Sequence, residues 1–359
     1  MSPRPTLDDL GGWPAVLARL ASGADLSTQE ARAALADVLD GNATSAQIAA
    51  FVFGLRCKGE SVEEMTGLVS AMLDAAEKVV VPEELAGRLV DTCGTGGDRS
   101  GTINVSTIAA LIVAGAGVPV CKHGGRAASS RAGSADVLEE LGVVIDLSPG
   151  GVAHCIDEAG IGFCFAPRFH PAMRHAAPVR RELGVATAFN FLGPLANPAR
   201  VRRQVVGVGD NTMAPKMASV LAAGGAAHVL VVHGADALDE LSTTGPSTLY
   251  EWRSVEAGGS GLPVEAQTVD PAALGLAPAR VEDLRGGDAA ANARFARSVL
   301  SGAPGPHRDI VLLNAAAGLV VGGASDSLEA GLVLAAESLD EGKAELALER
   351  LVAASRDAS

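Results

Sequence analysis

At 359 residues the chain exceeds the roughly 100–200 of a typical domain, so two domains, or one large α/β domain with an appendage, are expected. With 48% hydrophobic and 19% charged residues it can bury a sizeable core, which excludes wholesale disorder. Lys and Arg number 28 against 42 Asp and Glu, and the resulting net charge of −14 argues against a general binder of nucleic acid or anionic membrane.

Aromatic residues, at 3%, leave little for base-stacking platforms, whereas the 43 glycines exceed the roughly 7% average and cluster. The five cysteines, Cys57, Cys93, Cys121, Cys155 and Cys164, form no C-x-x-C pair and suggest neither a disulfide framework nor a zinc site. The first residues, MSPRPTLDDL, lack the charged start and apolar core of a signal peptide. The longest apolar run, Ile108 to Cys121, is short of the roughly 20 residues needed to span a bilayer. A soluble, cytoplasmic protein without a membrane partner is expected.

In chain order, the first 80 residues are expected to be helical. Capping boxes pair Ser27 with Glu30, Thr44 with Gln47 and Ser61 with Glu64. Apolar residues at three- and four-residue spacing follow, such as Ile48, Phe51, Val52 and Leu55, and Gly41 and Gly59 stand where helix-ending glycines belong. After Pro82 short apolar runs suited to buried strands appear at 88–93, 118–121, 143–146, 204–209 and 227–233, mostly separated by helix-like stretches. That alternation predicts a largely parallel sheet covered by helices. The proline-rich stretch 168–198 breaks the rhythm and is a candidate to pack away from the sheet; 257–280 reads as a connector and 288–355 as helical.

Four elements could carry chemistry. Asp91 to Asp98 (DTCGTGGD) follows a predicted strand and precedes Thr102-Ile-Asn104-Val105-Ser106-Thr107 and an apolar helix. Glycines let such a loop aim N–H groups at an anion, and Ser106 or Thr107 would cap a helix whose N-terminus favours phosphate; a plain glycine turn is the alternative. Lys122 to Ser130 (KHGGRAASS) follows the next strand with two cations, a histidine and paired hydroxyls suited to phosphate, or is a solvated basic loop. Ser134 would add a phosphate contact or serve as an N-cap. Asp239-Glu240, after the strand AHVLVVH, suits Mg²⁺ shared with substrate phosphates, or is solvated. Residues 168–182 carry Arg168, His170, Arg174, His175, Arg180 and Arg181 against Glu182 alone, from which one Arg could face an anionic substrate.

In this order the elements resemble the anthranilate phosphoribosyltransferase family across nearly the whole chain, through GTGGD, NVST, KHG-x-R-x-x-SS-x-x-GSAD, HPAMRHAAPVRRELG, FNFLGPLANP and LDEL. The resemblance implies an α/β fold of the nucleoside phosphorylase/phosphoribosyltransferase type. A small helical domain, 1–82 joined by helices from about 168–198, would stand beside a larger α/β domain, 83–359, with a mostly parallel central sheet. It implies transfer of the phosphoribosyl group of 5-phosphoribosyl 1-diphosphate to anthranilate in tryptophan biosynthesis, and a homodimer in contact through the helical domain. Carried over, the donor would be bound by Gly94, Gly97, Asp98, Thr102, Asn104, Val105, Ser106, Thr107, Lys122, His123, Gly124, Gly125, Arg126, Ala127, Ala128, Ser129, Ser130 and Ser134. Anthranilate would meet Gly94, His123, Gly125, His170, Met173 and Arg180, and Mg²⁺ would meet Ser106, Asp239 and Glu240.

The chain departs from the family pattern at Gly125, where Asn is usual, which predicts weaker or relaxed anthranilate binding, and at Ala237, where glycine is common. Two other readings compete. A pyrimidine-nucleoside phosphorylase typically has Lys-His-Ser before its glycines, where this chain has Asp91-Thr92-Cys93; a non-catalytic nucleic-acid-binding relative is opposed by the net charge of −14 and by Asp239-Glu240.

Overall fold

The computed structural model describes residues 4–98, 100–127, 131–254 and 264–359. The three capping boxes form as the sequence predicts, at the starts of helices Thr28–Leu39, Ser45–Lys58 and Val62–Ala75. Each hydroxyl accepts the N3 amide while the N3 side chain takes the cap's own N–H, satisfying donors that a helix start leaves free.

Seven strands form one sheet in the order β3-β2-β1-β4-β5-β6-β7. They are β1 Val90–Gly94, β2 Val120–Gly124, β3 Ile161–Phe165, β4 Arg203–Gly207, β5 His228–His233, β6 Ser247–Arg253 and β7 Glu265–Val269. Strands β3 to β5 pair in parallel and β5-β6-β7 antiparallel. A small N-terminal helical unit thus accompanies a larger α/β unit with a mostly parallel sheet.

Several expectations are corrected. Residues 143–146 form no strand: Val143 and Ile145 are buried, but the segment connects two helices and its Val144 N–H donates to Ser355 Oγ at 3.0 Å. The third strand is Ile161–Phe165, where a Cβ on Gly162 would stand 2.8 Å from Ile156 Cγ1 and from the Val152 carbonyl, so close packing needs that glycine. The expected connector 257–280 contains β7, an exposed edge strand, and the unanticipated β6 joins β7 to β5.

Two apolar clusters lie on either side of the sheet. One gathers Ile108, Leu111 and Ile112 of helix Val105–Gly115 with Ile310, Val311 and Leu313 of helix Pro306–Gly322. The other joins Leu35, Phe51, Leu55 and Met65 of the N-terminal helices to Val179, Phe189 and Leu192, and to Val206, Val229 and Val231 of the sheet. Stretch 168–198 packs against the N-terminal helices but not away from the sheet: the Pro194 carbonyl accepts from Gln204 Nε2 of β4 at 3.0 Å, and the Gly193 carbonyl lies 3.0 Å from His123 Nδ1 of β2. The apolar run from Ile108 is divided between helix Val105–Gly115 and β2, and no helix among the described residues is long and apolar enough to cross a membrane.

Candidate active site

The parallel strands point their C-terminal ends at one crevice, where open α/β sheets bind ligands. β1 runs into the glycine loop, whose Gly96 and Gly97 adopt φ of 64° and 80°, the left-handed region glycine enters without strain. The loop lies hard against the β5 loop: a Cβ on Gly94 would stand 2.4 Å from Asp239 Oδ2, and one on Gly207 would stand 1.6 Å from the Asp239 carbonyl oxygen. Gly96 N–H donates to Asp239 Oδ2 at 2.7 Å, and Thr95 N–H to the Gly207 carbonyl at 2.9 Å.

Beside this loop three acids, Asp98, Asp239 and Glu240, meet in a half-buried corner. Ser106 N–H donates to Glu240 Oε1 at 3.1 Å, and Lys122 Nζ lies 3.4 Å from Ser106 Oγ while also donating to the Thr92 carbonyl. Asp98 Oδ2 is buried without a hydrogen-bond partner. Burial, and then the charge of Asp98, push the Asp239 carboxyl above its ordinary range; burial and the charge of Asp239 do the same for Glu240. Among the described residues no group of three or more His, Cys, Asp or Glu forms a ready metal cage. Two carboxylates and a serine hydroxyl are nonetheless hard oxygen donors, which fits Mg²⁺, an ion that takes few protein ligands and shares substrate phosphates. The unpartnered Asp98 oxygen and the crowded acids are what a cation would relieve.

The helix after the first loop starts at Val105 with Asn104 as its N-cap residue, not with Ser106 or Thr107, and Asn104 makes no side-chain cap bond. Its side chain is taken elsewhere: Nδ2 donates to the Ala132 carbonyl at 3.1 Å and Oδ1 accepts from Asn292 Nδ2 at 2.7 Å. Thr102 forms an isolated bridge with Arg285, its hydroxyl 3.2 Å from that of Ser100, while Val105 and Thr107 are buried.

In the second loop a Cβ on Gly124 would stand 2.2 Å from Ser134 Oγ, whereas one on Gly125 would meet, among the described residues, only Ala166 Cβ at 3.9 Å. Arg126, offered to phosphate in the sequence, pairs here with Asp136 at 2.8 Å and Glu139 at 2.5 Å and lies over the Phe165 ring. Asp136 also accepts from Ala127 N–H and from Gly133 N–H. Gly133, not Ser134, is the N-cap residue of helix Ser134–Leu141, and Ser134 Oγ donates to the Gly125 carbonyl at 3.3 Å. Ala128, Ser129 and Ser130 lie outside the described residues.

The His123 and His170 rings stand 5.1 Å apart, centroid to centroid. Burial, followed by the neighbouring His170, lowers His123 to about 3, and burial lowers His170 to about 4, so both are neutral at pH 7. His123 Nδ1 lies 3.0 Å from the Gly193 carbonyl, which can only accept; the proton is therefore on Nδ1 and the lone pair on Nε2, which is buried without a partner. Met173 lines a small hollow with Leu39, Met72 and Ala172. Among residues 168–182, Arg168 pairs with Glu77 and Arg174 is exposed, whereas Arg180 is half-buried over the Phe189 ring with no ion-pair partner among the described residues.

Sequence reasoning missed Asn292. It sits in a stretch read only as helix, 188 residues from the Asn104 it holds, and nothing local marks it.

Residues 14–76 match a family described as "Glycosyl transferase family, helical bundle domain", and 86–345 match "Glycosyl transferase family, a/b domain". The chain is 53% identical to the anthranilate phosphoribosyltransferase of an Arthrobacter species over 350 residues, 96% of each chain. It is likewise 53% identical to that of Salinispora arenicola over 345 residues, 95% of this chain and 96% of the other. This chain belongs to the anthranilate phosphoribosyltransferase family. Solved anthranilate phosphoribosyltransferases share its fold. That of Thermus thermophilus superposes with a TM-score of 0.87 at 43% identity, covering 95% of this chain and 99% of its own. That of Saccharomyces cerevisiae in complex with PRPP and Mg gives 0.85 at 27% identity, covering 96% and 98%.

Proposed function

We infer that this chain transfers the phosphoribosyl group of 5-phosphoribosyl 1-diphosphate to the amine of anthranilate, giving N-(5-phosphoribosyl)anthranilate and diphosphate, a step of tryptophan biosynthesis. The observation that carries this reading is the half-buried Asp239-Glu240 pair, gripped by the N–H groups of Gly96 and Ser106 beside Lys122. Positive charge builds on the ribose carbon as diphosphate leaves, so the protein's main task is to stabilise the leaving group. Gly94, Gly97, Asp98, Thr102 and Asn104 to Thr107 would hold the diphosphate end, and Lys122 to Ser130 with Ser134 the rest of the donor. Mg²⁺, held by Ser106, Asp239 and Glu240, would neutralise charge on the departing diphosphate.

The aromatic amine is neutral near pH 7 and needs no strong base. Neutral His123 would accept an N–H of that amine at Nε2 and so orient its lone pair, with Gly94, Gly125, His170 and Met173 around the ring and Arg180 at the carboxylate. Holding two substrates in line supplies much of the remaining rate. Residues 1–82, with the helices of 168–198, would form one wall of the cleft and 83–359 the other.

The enzyme would work as a cytoplasmic homodimer. Five free cysteines support a reducing compartment, and helix Ser45–Lys58 exposes Ala46, Ala50, Phe53 and Cys57 at helical spacing, with Phe53 49% exposed. Light scattering on Phe53→Asp should report a monomer where the wild type reports a dimer. The reaction itself is tested by decay of anthranilate fluorescence with donor and Mg²⁺. Decay that EDTA abolishes supports it; no decay at saturating donor refutes it.

A further inference from the structure

Just below the two loops the sheet opens. β1 pairs with β4 from Val90↔Arg203 to Gly94↔Gly207, and β2 with β3 from Val120↔Ile161 to Gly124↔Phe165. β1 and β2, adjacent in the same sheet, pair only at Val90↔Val120. Side chains fill the opening. His123 N–H donates to Asp91 Oδ1 at 3.1 Å. Asn197 Nδ2 donates to Asp91 Oδ2 and to the Cys121 carbonyl, each at 2.8 Å, while its Oδ1 accepts from Ala199 N–H at 2.9 Å. Lys122 Nζ reaches across to the Thr92 carbonyl.

A continuous parallel ladder would satisfy the same main-chain groups without burying a carboxylate, which is costly even when fully hydrogen-bonded. Asp91 is 0% exposed, and Asn197 and Lys122 are each 3% exposed. Such a departure from the simplest sheet is expected at functional positions. Its effect follows from strand alternation, which sends neighbouring side chains to opposite faces. Lys122 points to Ser106 and the acid corner, and His123 to Gly193 and the His170 ring. The N–H that Asp91 takes is that of His123 itself.

We propose that Asp91 and Asn197 are positioning residues of this site: they hold β2 apart from β1 and set Lys122 toward the diphosphate corner and His123 toward the aromatic substrate. The proposal rests on the reaction assigned above. Asp91→Asn tests it, because its amide group must face either His123 N–H or the Asn197 amide, donor against donor, whichever way it turns. In protein shown by circular dichroism to be folded, the KM of both anthranilate and phosphoribosyl diphosphate should rise at least about tenfold, the scale of a lost hydrogen bond to a charged group. Calorimetry on the same variant should show anthranilate, and Mg²⁺ with diphosphate, binding more weakly by a similar factor. A merely structural role would lower Tm and kcat and leave both KM values and both affinities unchanged, and that result overturns the proposal. Should D91N not fold, Asn197→Ser, which removes the amide but leaves the carboxylate, decides on the same criteria. Wild-type protein run alongside keeps the two ideas separate. Its own failure to transfer refutes the reaction, whereas wild-type transfer with unchanged variant KM refutes the positioning.

Discussion

Replacing Gly125 by Asn supplies the amide that the family resemblance implies, at a position that can accept it. Gly125 is not among the glycines with positive φ, and among the described residues its added Cβ would meet only Ala166 Cβ at 3.9 Å, an ordinary contact. One amide hydrogen bond in a desolvated pocket contributes about 0.5–1.5 kcal/mol net, so the KM for anthranilate should fall roughly two- to tenfold. In the proposed reaction Mg²⁺ would be held by Ser106, Asp239 and Glu240, outside this loop, so kcat at saturating donor should stay within about twofold, a difference of under 0.5 kcal/mol. Removing a glycine also restrains the unfolded chain, adding about 0.4–1 kcal/mol of stability. The assay is anthranilate fluorescence decay at saturating phosphoribosyl diphosphate and Mg²⁺, with anthranilate varied. Gly124→Ala is the contrasting control, since its methyl group would collide with Ser134 Oγ. An unchanged or raised KM for anthranilate in Gly125→Asn would refute the reasoning.

Arg180→Ala should raise the KM for anthranilate by about 10- to 100-fold, the scale of a charge-assisted hydrogen bond to a carboxylate, with the donor KM little changed; steady-state kinetics in both substrates checks this. His123 and His170 are depressed to about 3 and 4 in the fold against about 6.5 in the unfolded chain, so the unfolded state binds protons that the fold refuses. Their contribution is complete above about pH 6.5 and declines as pH falls toward 4, by roughly 1.4 kcal/mol per pH unit for each; thermal melts should show His170→Gln losing less stability than wild type between pH 6.5 and 4.5. Ala237 has φ of 60° beside Asp236 at 59°, a conformation that suits glycine. Ala237→Gly should therefore relieve about 1 kcal/mol of strain and raise Tm by about 1–2 °C in a calorimetric scan.

The features legible in the sequence are those whose cause is local. A capping box needs only four residues, and Ser27, Thr44 and Ser61 all formed one. β1, β2, β4 and β5 lie within a few residues of their expected places because buried parallel strands leave continuous apolar runs. VVID at 143–146 has the same composition but no partner strand, since Ile161–Phe165 occupies the place beside β2. Composition reports fitness for burial, not whether a neighbour is there to complete the ladder. β7 is exposed and polar, so the apolar signal was absent where a strand in fact pairs. In the site, the glycine loop and the Asp239-Glu240 pair were visible as motifs, but the ties of Asn104 to Asn292 and of Asp91 to Asn197 join residues more than a hundred positions apart.

The division of labour along β2 explains why the departure at Gly125 need not disable transfer. Lys122 sits with Ser106 and the acids, His123 sits with Gly193 and His170, and the half-buried Gly125 follows beyond both, a Cβ there standing 3.9 Å from Ala166 Cβ. The proposed leaving-group site is built from β1, β5, helix Val105–Gly115 and Lys122 of β2, and its acids Asp239 and Glu240 accept from the Gly96 and Ser106 N–H groups. If the proposed placement holds, change at residue 125 acts on recognition of the acceptor, while the charge that develops on diphosphate would meet the same Mg²⁺-holding groups as before. In the proposed reaction one strand would thus carry contacts to both substrates, separated by its own pleat.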